Sequence, residues 1–307
     1  EANTLRKVRN GWFALFECLE TDRDAAEALV GQVVDWMRSN GIRKLLGPLS
    51  ASGGDDSKGF LVRGHDTQAA YLCSHNPEWY APFFQAHGFD QVHHLYAYYL
   101  HKDDIPMERF ARVVEYAKQR YSFRVDPLDF NHLERELEDI QKILSEAILE
   151  SWEDLTPPDV SALRKEANAL KRYADPDLLH IARRVPDGRP LGFALVLPNL
   201  NEALSHIRGR LHPIAILKLM YWRRRITGVR GIAQFVVPDY HKKAVMSAIF
   251  HEVFRRGIPR GYTWADASTV GEENLPSIAN TESLGAKRYK EYWIMIRILE
   301  PGPESAT

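Results

Sequence analysis

A basic turn between an apolar strand and a helix is the part of this sequence best suited to chemistry. His241, Lys242 and Lys243 follow the apolar stretch Gly231–Val237, and apolar residues recur at helical spacing from Ala244 onwards. The free N–H groups at the start of a helix, together with its positive dipole end, favour a bound anion. Lysines at a helix start are otherwise unfavourable to the dipole, so their presence supports an anion. The alternative is a turn that meets only solvent, and the residues leave both interpretations open.

The same stretch resembles the pyrophosphate-binding segment of the GNAT acyltransferase superfamily. In that superfamily a strand leads into a segment of the form V-x-P-x-[YF]-[RQ]-x-x-G-x-[GA]. The run Val236-Val237-Pro238-Asp239-Tyr240 fits its first five positions. His241 stands where Arg or Gln is usual, and Ala244 and Met246 stand where glycine and a small residue are usual. Glycine matters there because the backbone must approach phosphate oxygens closely.

This resemblance implies an acyl-CoA-dependent N-acyltransferase, with acetyl-CoA or a longer acyl-CoA as cosubstrate. An unpaired backbone N–H of a splayed strand would polarise the thioester carbonyl, and Phe235–Val237 is the expected place for it. The acyl-CoA would contact this strand end, the basic turn and the first helical residues. Carried over position by position, the implied cofactor-binding residues are Phe235, Val236, Val237, His241, Lys242, Lys243, Ala244, Val245, Met246 and Asn274.

The last helix extends the resemblance. Superfamily members often have N-x-x-A-x-x-x-Y-x-x-x-G-[FA] there, and the tyrosine of that motif acts as the acid in many of them. This chain has Asn274, Ser277, Thr281, Gly285 and Ala286 at those spacings. The position of the acid is therefore occupied by threonine, which is a departure from the motif.

Two other residues are candidates for proton transfer. Tyr289 is the substitute candidate for the acid, and Asp266, at the end of its predicted strand, is the candidate base. As alternatives, Tyr289 packs on the sheet, and Glu272 and Glu273 are simply favourable charges in a first helical turn. Arg223–Arg225 could hold the 3′-phosphate of CoA or form a solvated helix end.

The element order predicts an α/β fold, an α+β mixed sheet in two GNAT-like acyl-CoA N-acyltransferase domains. Residues 1–104 form the incomplete first domain, 105–120 a connecting helix, 121–300 the second domain and 301–307 a tail. Both halves end in a helix that starts near an asparagine, a glycine and then a strand. Ser50–Gly59, rich in Gly, Ser and Asp, is expected to be an exposed loop. Because the chain starts at Glu1 without Met, we expect it to be part of a longer product.

Composition argues against several other classes. The chain has 307 residues and a net charge of -1, so no global attraction to nucleic acid or membrane is expected. Two distant cysteines, Cys18 and Cys73, predict reduced thiols and a cytoplasmic location, and the lack of ligand motifs predicts no metal. The expected partner is a small-molecule or peptide amine. The alternative, favoured by Ala244, Met246 and Thr281, is a non-catalytic GNAT-like binding or scaffolding protein that has lost cofactor use.

Overall fold

The chain forms a mixed α/β structure of two compact units. The computed structural model describes residues 9–49, 58–148, 156–210 and 212–299. The first unit contains, of these, residues 9–49, 58–97, 269–275 and 289–299, and the second contains 98–148, 156–210, 212–268 and 276–288. The predicted tail and most of the predicted loop Ser50–Gly59 lie outside the described residues.

The first unit combines the beginning and the end of the chain. The chain's last strand, β10, pairs antiparallel with β2 and with β3, so residues from the end of the sequence complete the first unit. β1 pairs parallel with β2, and β4 lies on the other side of β10. The elements are β1 (Asn10–Trp12), α1 (Arg23–Ser39), β2 (Lys44–Gly47), β3 (Phe60–Arg63), α2 (Tyr80–Ala86), β4 (Asp90–His101) and β10 (Lys287–Ile298).

An aromatic cluster forms the core of the first unit. Phe13 stacks on Phe84 with ring centroids 5.0 Å apart, and Phe16 meets Tyr80 edge-on at 4.8 Å. The sequence of Trp12–Glu20 is typical of a strand, but the strand in the structure is Asn10–Trp12, so Trp12 alone of that run belongs to it. The residues after Trp12 turn their aromatic rings into the core instead of following a pleat, and Leu15 adopts a φ of 55°. The sequence prediction also missed β3.

The second unit is built on an antiparallel meander that ends in one parallel pair. β5 to β8 pair antiparallel in chain order, and β8 pairs parallel with β9. The strands are β5 (Phe123–Pro127), β6 (His180–Arg184), β7 (Pro190–Pro198), β8 (Gly228–Val236) and β9 (Trp264–Gly271), the last three residues of which group with the first unit. The helices are α3 (Met107–Tyr121), α4 (Leu133–Ala147), α5 (Val160–Leu170), α6 (Asn201–Leu204), α7 (Pro213–Arg223), α8 (Val245–Gly257) and α9 (Leu275–Ser283).

Local chemistry explains how the meander is fixed. The β6–β7 turn contains Gly188 at a φ of 71°, a conformation that glycine adopts without steric strain. Behind this hairpin, the buried Arg183 donates to Glu136 at 2.7 Å and to Asp139 at 3.0 Å, so one ionic cluster ties α4 to β6. Removing one partner of such a cluster would leave a buried charge without compensation.

The predicted domain limits stay a prediction, and the packing adds one fact to them. Residues 289–299, which the sequence placed in the domain 121–300, group with the first unit. Conversely, the last four residues of β4, 98–101, group with the second unit. The strands that end the two halves of the sequence therefore each contribute residues to the other half's unit.

Candidate functional site

Strands β8 and β9 are paired only over the first part of β8. The parallel register runs from Gly228–Trp264 to Gly231–Ala267 and ends there, although β8 continues to Val236. A bulge on the β7 side lies at the same level, because Leu195 faces Ala233 whereas Val196 faces Gly231. β8 is buried up to Arg230 and only half-buried beyond it, which is the exposure expected of a strand whose edge has lost its neighbour.

The β7 register shows which backbone groups face the open edge. The N–H of Val237 donates to the carbonyl of Leu191 at 2.9 Å, so that N–H is already used. Hydrogen-bonded positions alternate in an antiparallel pair. The backbone N–H and C=O of Phe235 therefore also point toward β7, whereas those of Gln234 and Val236 point away from it. The side chain of His241 confirms this direction, since its Nε2 lies 2.9 Å from the carbonyl oxygen of Val236.

The turn after β8 is held in place by its neighbours. Val237 and Tyr240 are buried, and Pro238–Tyr240 forms one short 3₁₀ turn. Arg189, from the β6–β7 turn, donates to Asp239 at 2.8 Å and to Glu146 at 2.7 Å. The hydrogen bond from Arg189 lowers the pKa of the Asp239 carboxyl. The lead-in that resembles the pyrophosphate segment is therefore anchored on both sides.

The start of α8 has the geometry of an anion site. Lys242 and Ala244 both have a positive φ, 60° and 56°, and Ala244 precedes the helix without any side-chain cap. Among the described residues, no acceptor meets the backbone N–H groups of Ala244 to Ser247. Successive N–H groups in such a turn form a concave nest for anions, and the helix dipole adds to the attraction.

The two lysines of this turn differ. Lys242 is exposed, whereas Lys243 Nζ lies 4.3 Å from the ring centroid of Tyr240 and 5.7 Å from that of Tyr121. A cation over an aromatic face is already partly stabilised by it. Lys242 is therefore the lysine better placed to meet a ligand from solution.

The body of α8 is embedded in the second unit. Val245, Ala248, Ile249 and Val253 are buried, in the helical spacing that the sequence predicted. Met246, where the superfamily prefers a small residue, is half-buried and is not part of that buried face. Ser247 donates to Asn280 of α9 at 3.1 Å, so the first turn of α8 is joined to the last helix.

The candidate proton-transfer residues are placed differently. The side chain of Asp266 is completely buried, with Ser268 donating to it and Arg230 Nε 3.9 Å away. Thr281 is buried in α9. Tyr289 groups with the first unit, where it packs against an apolar cluster around Leu61 and Tyr292. The structure thus does not bring Tyr289 and Asp266 into one unit.

Asn274, Glu272 and Glu273, which follow β9, also group with the first unit, whereas Arg223–Arg225 lie in the second unit. Asn274 and Glu272 precede the start of α9 at Leu275, and Glu272 accepts a hydrogen bond from the His94 N–H at 3.3 Å. His94 Nδ1 lies 2.8 Å from Glu291 Oε1, and Trp293 donates to the same oxygen at 3.1 Å. Sequence reasoning missed this pair because its residues are almost two hundred positions apart. In the described ranges, no three His, Cys, Asp or Glu side chains are grouped as a metal site requires.

His180 is a further group that the sequence did not indicate. It lies on β6 with no exposed surface, and neither ring nitrogen has a hydrogen-bond partner among the described residues. Burial, followed by the positive charge of Arg256 on α8, lowers the pKa of His180 to about 4. The imidazole is therefore neutral at physiological pH, and its surroundings depend on α8.

Two bacterial proteins are similar along most of the chain. The bacterial ceramide synthase of Caulobacter vibrioides is 27% identical over 289 residues, which cover 91% of this chain and 73% of that protein. Protein YghO of Escherichia coli is 25% identical over 304 residues, which cover 95% of this chain and 76% of that protein. No family model matches the sequence.

Solved structures show the same fold at low sequence identity. A tandem GNAT protein from the clavulanic acid biosynthesis pathway superposes with a TM-score of 0.55 at 10% identity, covering 96% of this chain and 77% of that one. A GCN5-related N-acetyltransferase from Sphaerobacter thermophilus gives 0.54 at 12% identity, covering 93% and 71%. The chain therefore has a mixed α/β, GNAT-like fold, and the fold expected from the element order is confirmed.

Proposed function

We propose that the chain is an acyl-CoA-dependent N-acyltransferase that acylates a long-chain amine. The observation that carries the proposal is the open edge of β8, which leads directly into the uncapped start of α8. The two features are consecutive in the chain and match the two chemical halves of acyl-CoA. The fold and the relative named bacterial ceramide synthase support the same reaction class.

Binding of the donor uses both features. The pyrophosphate sits on the backbone N–H groups that follow Ala244, and Lys242, the more exposed lysine of the turn, contacts it from the solvent side. The pantetheine arm carries amides, which can pair with a free strand edge as an added peptide strand does. Gln234 and Val236 are the residues whose backbone groups face that edge, so one of their N–H groups polarises the thioester carbonyl.

The reaction is aminolysis of the thioester. The amine nitrogen forms a C–N bond with the carbonyl carbon, the C–S bond breaks, and the CoA thiolate takes up the proton that the amine loses. The polarising N–H stabilises the oxyanion between these two steps. Asp266 lies beside Arg230 in the interior, so we assign it to holding β8 and β9 together rather than to taking the proton.

The proposed acceptor follows from the relative's name. A ceramide is by definition the N-acyl amide of a long-chain amino alcohol, so a synthase of ceramide acylates a lipid amine. The similarity to that protein covers 91% of this chain, and thus both units. We therefore propose a long-chain amino alcohol rather than a peptide amine as acceptor.

One observation favours the second candidate, a non-catalytic GNAT-like binding protein. Thr281, which stands where many superfamily members have the acid, is buried, and so is Asp266. A chain of this kind would bind CoA at the start of α8 but would form no amide.

The experiment combines calorimetry with product analysis. CoA and palmitoyl-CoA are titrated into wild type, Lys242→Glu and a matched control, Lys165→Glu, an exposed lysine on α5. Loss of one charge-assisted contact should weaken CoA binding roughly ten- to a hundredfold in Lys242→Glu and leave the control unchanged. Palmitoyl-CoA is then incubated with sphinganine or with a lysine peptide, and the amides are identified by mass spectrometry.

Each outcome is decisive. Amide formed from sphinganine and lost in Lys242→Glu supports the proposed function. CoA binding without any amide favours the non-catalytic alternative. Absence of CoA binding in wild type would remove the acyltransferase proposal.

A further inference from the structure

Helix α7 turns an apolar face to solvent. Leu217 and Met220 are 66% and 59% exposed, and Ile214, Ile216 and Tyr221 are exposed as well. At 3.6 residues per turn these side chains share one broad face of the helix. The opposite face, with Ala215, Leu219 and Trp222, attaches the helix to its unit, and Trp222 stacks on His206 with ring centroids 3.7 Å apart.

This face differs from ordinary surface hydrophobicity. Val113 and Tyr116 on α3 are also exposed, but they are only two residues, one turn apart, on a helix whose exposed surface is otherwise polar and charged. Single exposed apolar residues are normal, whereas a contiguous apolar face indicates an interaction site. On α7 the exposed apolar residues follow one another within a single helix of 11 residues.

The segment that carries α7 is also strongly basic. Residues 203–226 contain no Asp or Glu and six basic residues, although the whole chain has a net charge of -1. The basic residues are Arg208, Arg210, Lys218, Arg223, Arg224 and Arg225. Local charge and global charge therefore differ in sign.

We propose that α7 docks on the surface of an anionic lipid bilayer and lies in the plane of the interface. Eleven helical residues span only about 16 Å, which is too short to cross a hydrocarbon core of about 30 Å. The apolar face enters the boundary between headgroups and acyl chains, while the basic residues meet the anionic headgroups. Tyr221, with the guanidinium of Arg225 3.7 Å from its ring centroid, lies at the polar edge.

The charge and the apolar face together favour an anionic bilayer over a second copy of the chain and over a nucleic acid. A second copy of the chain would place six more basic residues against the first six, and like charges at an interface disfavour association. A nucleic acid would satisfy the charges but would leave the apolar face without a partner. An anionic bilayer complements both the apolar residues and the cations.

One side chain, Glu202, joins the two ends of the segment. Glu202 accepts hydrogen bonds from the backbone N–H groups of Thr227, at 2.9 Å, and Gly228, at 2.8 Å. The residues just before and just after the segment are therefore joined through the Glu202 carboxylate. The segment rejoins its unit at the start of β8, whereas the basic turn leaves from the end of β8. The proposal goes beyond the acyltransferase proposal and does not depend on it.

The test is co-sedimentation of the full chain with vesicles. Vesicles of phosphatidylglycerol mixed with phosphatidylcholine are compared with phosphatidylcholine alone, without CoA or any amine. The chain should sediment only with the anionic vesicles. Leu217→Gln combined with Met220→Gln should weaken binding at least about tenfold, and Arg224→Gln about fivefold. The matched control, Val113→Gln with Tyr116→Gln on α3, should bind as wild type does.

The substituted side chains are exposed, so thermal melting should show unchanged folding in every variant. Three results would overturn the proposal. They are no sedimentation of wild type with anionic vesicles, equal losses in the α3 control, and a wild-type dimer in light scattering that the α7 variants dissociate while vesicle binding stays unchanged.

Discussion

Helices α7 and α8 belong to the same unit and are similar in length and apolar content. They differ in which part of the helix lacks a partner: the first turn in α8 and the apolar side in α7. α8 buries its apolar side and leaves its first N–H groups uncapped after Ala244. α7 begins with a cap, since the Ala215 N–H is 3.3 Å from His212 Nδ1, and it exposes its apolar side. An open helix end offers hydrogen bonds to a small anion, whereas an open helix side offers apolar area to a large surface. The two helices are therefore suited to the two different ligands proposed above.

The contrast predicts stability effects of very different size for the same kind of truncation. Ile249 on α8 is completely buried, so Ile249→Ala should lower the free energy of unfolding by about 2–5 kcal/mol. Leu217 on α7 is mostly exposed, and Leu217→Ala should change it by less than about 0.5 kcal/mol. Urea unfolding of both variants measures the difference. Equal losses would show that α7 is covered in the chain as it exists in solution.

The same contrast shows how far the sequence could be read. Helical spacing from Ala244 onwards predicted α8, and the Pro238 lead-in placed the turn between β8 and α8. Periodicity did not show that the apolar residues of α7 lack a cover, because hydrophobic spacing reports a helix but not what lies against it. The expectation of no membrane partner rested on net charge, which averages away the six basic residues around α7.

The site itself was less accessible from sequence than the fold. The strand end and the basic turn were found because they are consecutive in the chain. The end of β8–β9 pairing at Gly231 and the partners of Asp266 depend on contacts across the sheet. Tyr289 was proposed as the substitute for the acid because it lies further along the chain from Thr281, whereas the structure packs Tyr289 in the first unit.

Acid should weaken the packing of α8 through His180. Burial lowers the pKa of His180 to about 4, from 6.5 for a free side chain. The unfolded chain therefore binds a proton before the folded chain does as the pH falls. The contribution of neutral His180 to the free energy of unfolding is fully present above pH 6.5. It is lost as the pH falls from 6.5 toward 4, by about 3 kcal/mol in total.

The matched variant for this prediction is His180→Leu, which removes the titrating group and keeps a similar volume. Urea unfolding at intervals across that pH range should show a smaller loss in the variant than in wild type. Arg256, the charged neighbour on α8, is present in both proteins. All other titrating groups are also the same, so their effects cancel when the pH dependence of the variant is subtracted from that of the wild type. Parallel pH curves for the two proteins would contradict the prediction.

The segment that carries α7 should loosen when Glu202 is removed. Glu202→Ala leaves two backbone N–H groups, those of Thr227 and Gly228, without their acceptor. We expect a loss of about 1–3 kcal/mol in the free energy of unfolding. Hydrogen exchange should rise in residues 203–228 and stay unchanged in α8. Glu202→Gln, which keeps one acceptor oxygen, should lose less. Protection lost equally in both helices would show that they open as one unit.

The smallest expected effect concerns the residue that begins α8. Ala244 adopts a left-handed conformation, with φ of 56° and ψ of 23°, which is unfavourable for a residue with a Cβ atom. Ala244→Gly relieves this strain but makes the unfolded chain more flexible, so we expect a net gain of about 0.5–1 kcal/mol. Ala248→Gly is the matched control, because Ala248 is buried inside the same helix and the same change there should destabilise by at least about 1 kcal/mol. Urea unfolding gives both values. A loss of stability in both variants would mean that the turn before α8 is not strained, and the resemblance to a glycine-containing phosphate cradle would lose its conformational basis.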